Sequence, residues 1–261
     1  MTALALRMTG ADLLKLRKRR GTLIWAFVLT LAPVLIFFIV RAAQHSSSPA
    51  SHPVAGGMEG YRDALRLLAL FFGPLAAIMI GTDAGAGDLA AGVFRDLVVT
   101  GRSRLALFAT RVPAAIAITW AVLCVGFALS ILGSFVFAGG TPTPDGALIA
   151  NGLGFALLST GVVCAVAVGF ASLTGSRPAA LTVLIGWQLV ASPILANISS
   201  LGSSRKLVLT QAIAHFSPVN LGDGGRGTVV TMSLGLAVLV LALWLAVFLA
   251  LGAWRTRTMD A

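Results

Sequence analysis

The sequence predicts an all-α integral membrane protein with six transmembrane helices, and three observations support this. Hydrophobic residues make up 57% of the 261 residues and charged residues only 11%, whereas a soluble domain carries about 25% charged residues. A mean hydropathy of +0.94 requires more apolar burial than one soluble domain of this size can provide. The chain also contains six long apolar runs, each near the roughly 20 residues that a span requires. These features exclude a water-soluble globule and a disordered chain.

The six spans are placed on apolar runs bounded by charged or turn-forming residues. The first run has no charge between Arg20 and Arg41 and exceeds the roughly 7 to 15 residue core of a signal peptide, so we expect an uncleaved first helix. The spans occupy more than half of the chain, and residues 1–261 therefore form a single transmembrane domain. The expected spans are residues 22–40, 62–82, 112–138, 147–173, 179–198 and 229–254.

The distribution of basic residues predicts the orientation of the bundle. The connections on the side of the N-terminus hold 13 of the 19 Lys and Arg residues, and the opposite connections hold 6. By the positive-inside rule, both termini are expected in the cytoplasm, with the protein in the inner (plasma) membrane. The basic residues have no exposed aromatic side chains among them, so we expect anionic lipid headgroups and no nucleic acid as their partners.

Three short helices are expected outside the spans, because their apolar residues recur at helical spacing. The first is an interfacial helix with Leu6, Leu13 and Leu16 near one face. The second is a cytoplasmic helix after the second span. The third is an amphipathic or re-entrant outer segment before the last span, which Pro218 ends. Their predicted ranges are Leu4–Leu16, Ala86–Val99 and Arg205–Phe216.

The sequence offers no metal or catalytic site. Cys124 and Cys164 both lie in apolar runs, which favours two core residues over a disulfide or a metal site. His45 and His52 are seven residues apart without nearby carboxylates or thiols, which is a weak pattern for a metal ion. The chain also lacks a Gly-rich phosphate loop, a His-Glu-x-x-His motif and a Gly-x-Ser-x-Gly elbow. Any uphill transport is therefore expected to use energy from a partner.

The polar residues predicted at depth in the membrane are neutral. Ion-coupled carriers usually need an ionisable group there, and no Asp, Glu, Lys, Arg or His is expected near the middle of a span, which disfavours a secondary carrier. Most neutral polar residues are expected to bond to their own helix or a neighbour. Gln188, in the middle of the fifth span, and Asn151, in the fourth, are the candidates for a substrate path.

In the segment from Gly81 to Arg111, an acidic residue precedes Gly92, Arg95, Leu97, Thr100, Ser103 and Arg104 in that order. This order resembles the permeases of ABC type 2 exporters, in which an acidic residue precedes Gly-Thr-Leu-Arg, two leucines, Thr-Pro and Ser-Arg. Here either Asp83 or Asp88 corresponds to the acid, Val93 replaces the small polar residue, and Gly101 stands where proline is common. The stretch Phe216–Leu221 also resembles the family pattern. The matching residues are Gly92, Arg95, Leu97, Thr100, Ser103 and Arg104.

This resemblance implies a functional unit of two permease subunits and two ATPase subunits. The partners would be an ABC ATPase, which would bind ATP and Mg, and a second permease copy or paralogue; no cofactor is expected in this chain. Substrate would move near a dimer interface formed largely by the second and fifth spans. The residues expected to couple to the ATPase are Asp83, Asp88, Gly92, Arg95, Leu97, Arg102 and Arg104.

An exporter of lipophilic drugs, antibiotics or lipid-like molecules fits a path without charges best. A lipid-linked glycan exporter is an alternative, but it would favour more aromatic residues than the 8% found. A second alternative is a membrane anchor or sensor that transports nothing and recruits a cytoplasmic partner through the segment Arg95–Arg111. Co-purification distinguishes these classes, because only a transporter half brings an ATPase with a phosphate loop.

Overall fold

The computed structural model describes residues 2–90, 92, 103–219 and 230–258, and all regular secondary structure in these ranges is helical. Six helical spans are long and apolar enough to cross a membrane, which confirms the predicted fold of a multi-pass membrane protein. We call the end of the bundle where the first span begins the proximal end, and the opposite end the distal end. The spans are Arg20–Ser47, Gly57–Ala90, Arg104–Val136, Gly146–Thr174, Arg177–Asn197 and Leu234–Thr258.

The first span extends seven residues beyond the predicted end at residue 40. Arg41, which was expected to end it, lies within the helix because its charge is compensated there. Its Nη1 atom is 2.9 Å from Oδ2 of Asp63 on the second span, and its guanidinium lies 5.1 Å from the centre of the Phe37 ring. The helix therefore ends only at Ser47, where the distal loop begins.

The second span is longer than predicted at both ends. It consists of an α-helix at Gly57–Arg66, a π-helical turn at Leu67–Phe72 and an α-helix at Gly73–Ala90. The predicted end at residue 82 is wrong, because the helix continues through Asp83 and Asp88, whose charges are paired with basic side chains. Residues 86–90 of the predicted cytoplasmic helix are therefore the last turn of the second span, and residues 93–99 lie outside the described residues.

The third span begins eight residues before the predicted start at residue 112. Ser103 caps this helix: its side-chain oxygen accepts a hydrogen bond of 3.2 Å from the backbone N–H of Ala106. Arg104 and Arg111 consequently lie within the helix Arg104–Val136 and not in the preceding loop.

The fourth and fifth spans agree with their predicted ranges within two residues. Asp145 caps the fourth span by accepting a hydrogen bond of 2.7 Å from the N–H of Leu148, and Gly175 ends it with φ +68°. The fifth span contains an α-helix, a π-helical turn and a further α-helix. These elements are Arg177–Gly186, Trp187–Ala191 and Ser192–Asn197.

The sixth span begins at Leu234, five residues after the predicted start at residue 229. Ser233 accepts a hydrogen bond of 3.3 Å from the N–H of Leu236 and so caps the helix at this later point. Phe216–Val219 precedes a gap at residues 220–229, which lie outside the described part of the chain.

The N-terminal helix covers Thr2–Lys18 and packs against the third span. Of the leucines predicted near one face, Leu16 is buried but Leu6 is 73% exposed, so only part of that face packs against the protein. The segment before the last span is a 3₁₀-helix at Ser199–Leu207 followed by an α-helix at Leu209–Ala214. Extended backbone at Val208 breaks the continuous helix that was predicted from residue 205.

The second and fourth spans form the centre of the bundle, and the first, fifth and sixth spans lie at its periphery. The fourth and sixth spans approach closely at Gly169 and Gly252, where a Cβ on Gly252 would lie 2.6 Å from the Gly169 carbonyl oxygen. Small residues allow such close helix packing in membranes. Apolar side chains on either side of this contact fill the space between the spans.

Candidate functional site

Asp83 is the centre of a buried ion pair network at the proximal end. Its side chain is 1% exposed and lies 2.6 Å from Nη1 of Arg19 and 3.0 Å from Nε of Arg177. Thr22 donates a hydrogen bond to its other oxygen. Arg19 occupies the single-residue break between the N-terminal helix and the first span, and Arg177 begins the fifth span. One carboxylate therefore joins three elements that are far apart in sequence.

Asp88 makes a second set of pairs on the same helix. Its side chain is 6% exposed and pairs with Lys15 of the N-terminal helix and with Nη2 of Arg111, at 3.1 Å, on the third span. Residues five positions apart on an α-helix point about 140° away from each other. Asp83 and Asp88 consequently pair with different neighbours: Asp83 with the first and fifth spans, and Asp88 with the N-terminal helix and the third span.

Asp12 adds a third carboxylate beside these pairs. It accepts a hydrogen bond of 2.8 Å from the Thr110 hydroxyl on the third span. Burial raises the pKa of Asp12 above its ordinary value of 3.8, although Thr110 and the nearby Arg111 act in the opposite direction. We refer to the whole group as the proximal ion cluster. Its members are Asp12, Lys15, Arg19, Asp83, Asp88, Arg111 and Arg177.

Gly87 leaves the space that the Arg19 side chain of this cluster occupies. A Cβ atom at this position would lie 2.5 Å from the guanidinium nitrogens of Arg19, so a larger residue would displace Arg19. Removing one partner of a buried ion pair typically costs about 3 to 5 kcal/mol, because the remaining charge is left without compensation. The cluster therefore holds the N-terminal helix and four spans in one arrangement at the proximal end.

The residues that were expected to couple to an ATPase fall into two groups. Asp83 and Asp88 are buried within the bundle, whereas Gly92 is exposed in a turn with φ +69°. Arg104 begins the third span, and its Nη1 donates to the carbonyl oxygen of Arg257 at 3.4 Å, beside the end of the sixth span. Arg95, Leu97 and Arg102 lie outside the described residues.

A second site lies in the middle of the bundle, where the second and fifth spans each contain a π-helical turn. π-Helical turns in α-helices frequently occur at functional sites. Gln188 in the turn of the fifth span donates a hydrogen bond of 3.0 Å to the carbonyl oxygen of Leu70 in the turn of the second. Ser159 of the fourth span donates one of 2.6 Å to the neighbouring carbonyl of Ala69. These bonds join three spans at the level of the turns.

Gln188 also lines an apolar cavity of about 180 Å³ between the second, fourth, fifth and sixth spans. Aromatic rings form much of its wall. The Trp187 and Trp244 ring centres are 5.6 Å apart, Phe248 stacks on Trp244 at 5.4 Å, and Phe170 meets Phe248 edge-on at 5.8 Å. We call this space the aromatic cavity. None of the residues that line it is charged.

Asn151, the other candidate for the substrate path, does not line this cavity. It is exposed in the second turn of the fourth span, and Gln188 is 8% exposed inside the bundle. Of the two residues predicted along a substrate path, only Gln188 therefore lines the cavity. The aromatic rings of Trp187, Trp244 and Phe248 were missed, although the position of Trp187 next to Gln188 was a usable signal.

The basic partners of Asp83 and Asp88 were likewise missed. Asp12, Lys15 and Arg19 lie three and four residues apart, a spacing that places side chains on one face of a helix. That spacing was the available sign that the N-terminal helix meets acidic residues inside the protein. His45 lies in the last turn of the first span and His52 in the distal loop, and Nδ1 of His45 donates a hydrogen bond of 2.8 Å to the backbone oxygen of His52.

No known protein family matches the chain. No curated protein matches it either.

Proposed function

We propose that the chain is the transmembrane permease subunit of an ATP-driven exporter and works with a separate ABC-type ATPase. The proximal ion cluster is the observation that carries the proposal. It lies where the segment that resembles ABC type 2 permeases begins, and it connects the end of the second span to the N-terminal helix and to the first, third and fifth spans. ATP and Mg would bind to the partner subunit.

The cluster suits the transmission of force from a partner at the proximal end. The connection between Ala90 and Arg104 joins the second and third spans, so a partner bound there would move both helices. The pair of Asp88 with Arg111 holds these two helices together, and Asp83 extends the connection to the first and fifth spans. Motion of this connection would then reach the spans that surround the aromatic cavity.

A second permease copy or paralogue would complete the membrane part. The first, fifth and sixth spans bury little of their surface inside the single chain. Exposed large apolar side chains on these spans suit contact with lipid and with another transmembrane subunit. The substrate would be lipophilic, such as a drug, an antibiotic or a lipid-like molecule, because the residues that line the cavity carry no charge.

In this proposed arrangement the protein lies in the inner (plasma) membrane, and its proximal end and both termini face the cytoplasm. Single cysteines can test this in a chain with Cys124→Ala, since Cys124 is exposed and Cys164 is buried. We expect an impermeant thiol reagent to label exposed Ser48→Cys and Ser204→Cys from outside, but not exposed Ser103→Cys or Thr258→Cys. Labelling of Ser103→Cys from outside in intact cells would contradict the orientation.

The main test isolates the full chain from its native membrane with its bound partners. We expect an ATPase with a phosphate loop to co-purify and the reconstituted complex to hydrolyse ATP faster with lipophilic substrates. Asp88→Asn should reduce this stimulation without loss of the complex. Asp63→Asn is the matched control, because Asp63 also meets two cations but lies at the distal end.

Other results would support a different class of protein. Gradient-driven uptake without nucleotide would indicate a secondary carrier, and a partner without ATPase motifs would indicate an anchor or sensor. Equal effects of Asp88→Asn and Asp63→Asn on ATP turnover would remove the proximal ion cluster from the coupling route.

A further inference from the structure

A groove of about 520 Å³ lies on the surface of the bundle, between the first span and the π-helical turn of the second. Val28, Ile36 and Val40 line it and are 42%, 58% and 46% exposed, so the groove is open along the outside of the bundle. We call it the first-span groove. It is bounded by Val28, Pro33, Phe37 and Arg41 of the first span and by Leu67 and Phe72 of the second.

Two departures from a regular α-helix meet at this groove. Pro33 lacks the N–H that would otherwise bond to the carbonyl oxygen of Leu29, and both residues line the groove. Leu67 and Phe72 are the first and last residues of the π-helical turn. Close packing of two helices depends on regular rows of side chains. The interruption of these rows on both spans therefore leaves a space that the chain itself does not fill.

The length and direction of the groove match one acyl chain of a lipid. Its lining residues on the first span recur at three- and four-residue spacing from Val28 to Arg41, so they form one face along the helix axis. At 1.5 Å per residue, this face is about 20 Å long. One leaflet provides about half of the roughly 30 Å hydrocarbon core of a bilayer. The groove consequently extends through the leaflet at the distal end, parallel to the lipid chains.

Arg41 places a positive charge at the distal end of this groove. Its guanidinium lies 5.1 Å from the centre of the Phe37 ring, which is part of the groove wall. Asp63 pairs with Arg41 at 2.9 Å but also with Arg66, so one carboxylate is shared between two cations. The Arg41 side chain stays 26% exposed, so an anion can reach it from the headgroup layer. Phosphate is the anionic group of a membrane lipid that the planar guanidinium binds well.

We propose that the first-span groove binds one phospholipid of the leaflet at the distal end, with an acyl chain along the groove and the headgroup phosphate at Arg41. The chain covers the apolar wall. The phosphate stays outside the groove, at its rim, and keeps most of its hydration. The site belongs to a single chain and does not depend on the proposed transport function.

The test uses the full chain, freed of lipid in dodecyl maltoside, a detergent without phosphate. The two probes are a phosphatidic acid and the diacylglycerol with the same acyl chains, each with a photoreactive diazirine in the middle of one chain. They differ only in the phosphate. Mass spectrometry of peptides after illumination measures the capture of each probe at residues 28–41 and 67–72. We expect saturable capture of both, with about two- to fivefold higher affinity for the phosphatidic acid, as for a partly exposed ion pair.

Two pairs of variants separate the charge from the groove. Arg41→Gln should remove the preference for the phosphatidic acid while diacylglycerol capture remains, and Arg41→Lys should retain part of it. Arg62→Gln is the matched control and should keep the preference, because Arg62 also pairs with an acid at the distal end but does not line the groove. Ala32→Trp fills the groove and should weaken the capture of both probes. Ile39→Trp should not, because Ile39 is exposed on the same span outside the groove.

Each remaining outcome overturns a defined part of the proposal. Equal affinity for both probes in the wild type, or an unchanged preference in Arg41→Gln, would overturn the contact of the phosphate with Arg41. Unchanged capture in Ala32→Trp would overturn the groove as the site of the acyl chain. Capture in a monomeric fraction but not in a dimeric one would show that a second copy of the chain covers the groove in place of a lipid.

Discussion

Two aspartates of the second span meet two cations each, but they do so in different surroundings. Asp88 at the proximal end pairs with Lys15 and Arg111, and its side chain is 6% exposed. Asp63 at the distal end pairs with Arg41 and Arg66, and its side chain is 28% exposed. Exposed ion pairs contribute little to the stability of the fold. Removal of one partner of a buried pair is strongly destabilising, because the other charge stays buried without compensation.

The two ends also differ in what their pairs connect. At the distal end, Arg62 pairs with Glu59, and Arg66 with Asp63, at a spacing of three residues within one helix. The pair of Arg41 with Asp63 does join two spans there, but both of its side chains are more than a quarter exposed. The proximal pairs join the second span to residues of the N-terminal helix, of the third span and of the fifth. Local pairs support a helix, but long-range buried pairs fix the positions of helices relative to each other. The same residue types therefore stabilise mainly a single helix at the distal end, whereas at the proximal end they hold several helices together.

Replacement of Asp83 should have the largest effect. Asp83→Ala leaves Arg19 and Arg177 without their shared carboxylate, and we expect a loss of about 3 kcal/mol in the free energy of unfolding. This is the lower part of the usual range, because these arginine side chains are partly exposed. Denaturation of the purified chain in mixed micelles measures the change. Asp63→Ala is the control and should cost less than about 1 kcal/mol; similar losses for both would remove the difference between the two ends.

A double-mutant cycle should give the next largest effect. Asp88→Asn and Arg111→Gln are expected to show a coupling energy of about 1 to 3 kcal/mol, because both side chains are buried and belong to one network. The corresponding cycle of Asp63→Asn and Arg66→Gln should show about 0.5 kcal/mol or less. Unfolding of the four single variants, the two double variants and the wild type supplies both numbers, and equal coupling at the two ends would contradict the comparison.

A substitution of Gln188 tests an uncharged hydrogen bond in the middle of the bundle, between the proximal and distal ends. Gln188→Leu removes the hydrogen bond to the Leu70 carbonyl, and we expect a loss of about 0.6 kcal/mol, the average for interhelical hydrogen bonds in a membrane protein. If Gln188 also contacts substrate, the selectivity of stimulated ATP turnover should change at nearly constant yield. Asn151→Leu is the control, because Asn151 is exposed and should change neither property. Lower stability with unchanged selectivity would assign Gln188 a structural role only.

The sequence predicted the spans well where hydropathy alone decides them. The fourth span follows from a mostly apolar run without any charge between Asp145 and Gly175, and the structure places it within one residue of the prediction. The end of the second span could not be predicted in this way. Asp83 and Asp88 have the appearance of loop residues, and they remain helical because Arg19, Arg111 and Arg177 compensate their charges from other parts of the chain.

The candidate site was predicted only in part for a similar reason. The central position of Gln188 was evident from the length of the fifth span. The π-helical turns were not, because a single wide turn does not alter the apolar pattern of a span that is hydrophobic on most sides. The aromatic cavity depends on how the surrounding spans pack together, and no local sequence pattern contains that information.

The last and smallest expected effect concerns Asp12 of the proximal ion cluster, because burial disfavours the charged form of its side chain. Its pKa is raised in the folded protein, so the folded state retains a proton that the unfolded state has lost. Asp12 should therefore destabilise the docked N-terminal helix progressively as the pH rises above 3.8, and this penalty should persist at neutral pH. Asp12→Asn removes the titration and can still accept the hydrogen bond from Thr110. Hydrogen exchange of residues 2–18, corrected for the intrinsic pH dependence, should rise with pH in the wild type and less so in Asp12→Asn. Faster exchange in Asp12→Asn at neutral pH would show that the carboxylate instead stabilises the helix through Lys15 and Arg111, and Asp12 would then resemble Asp88.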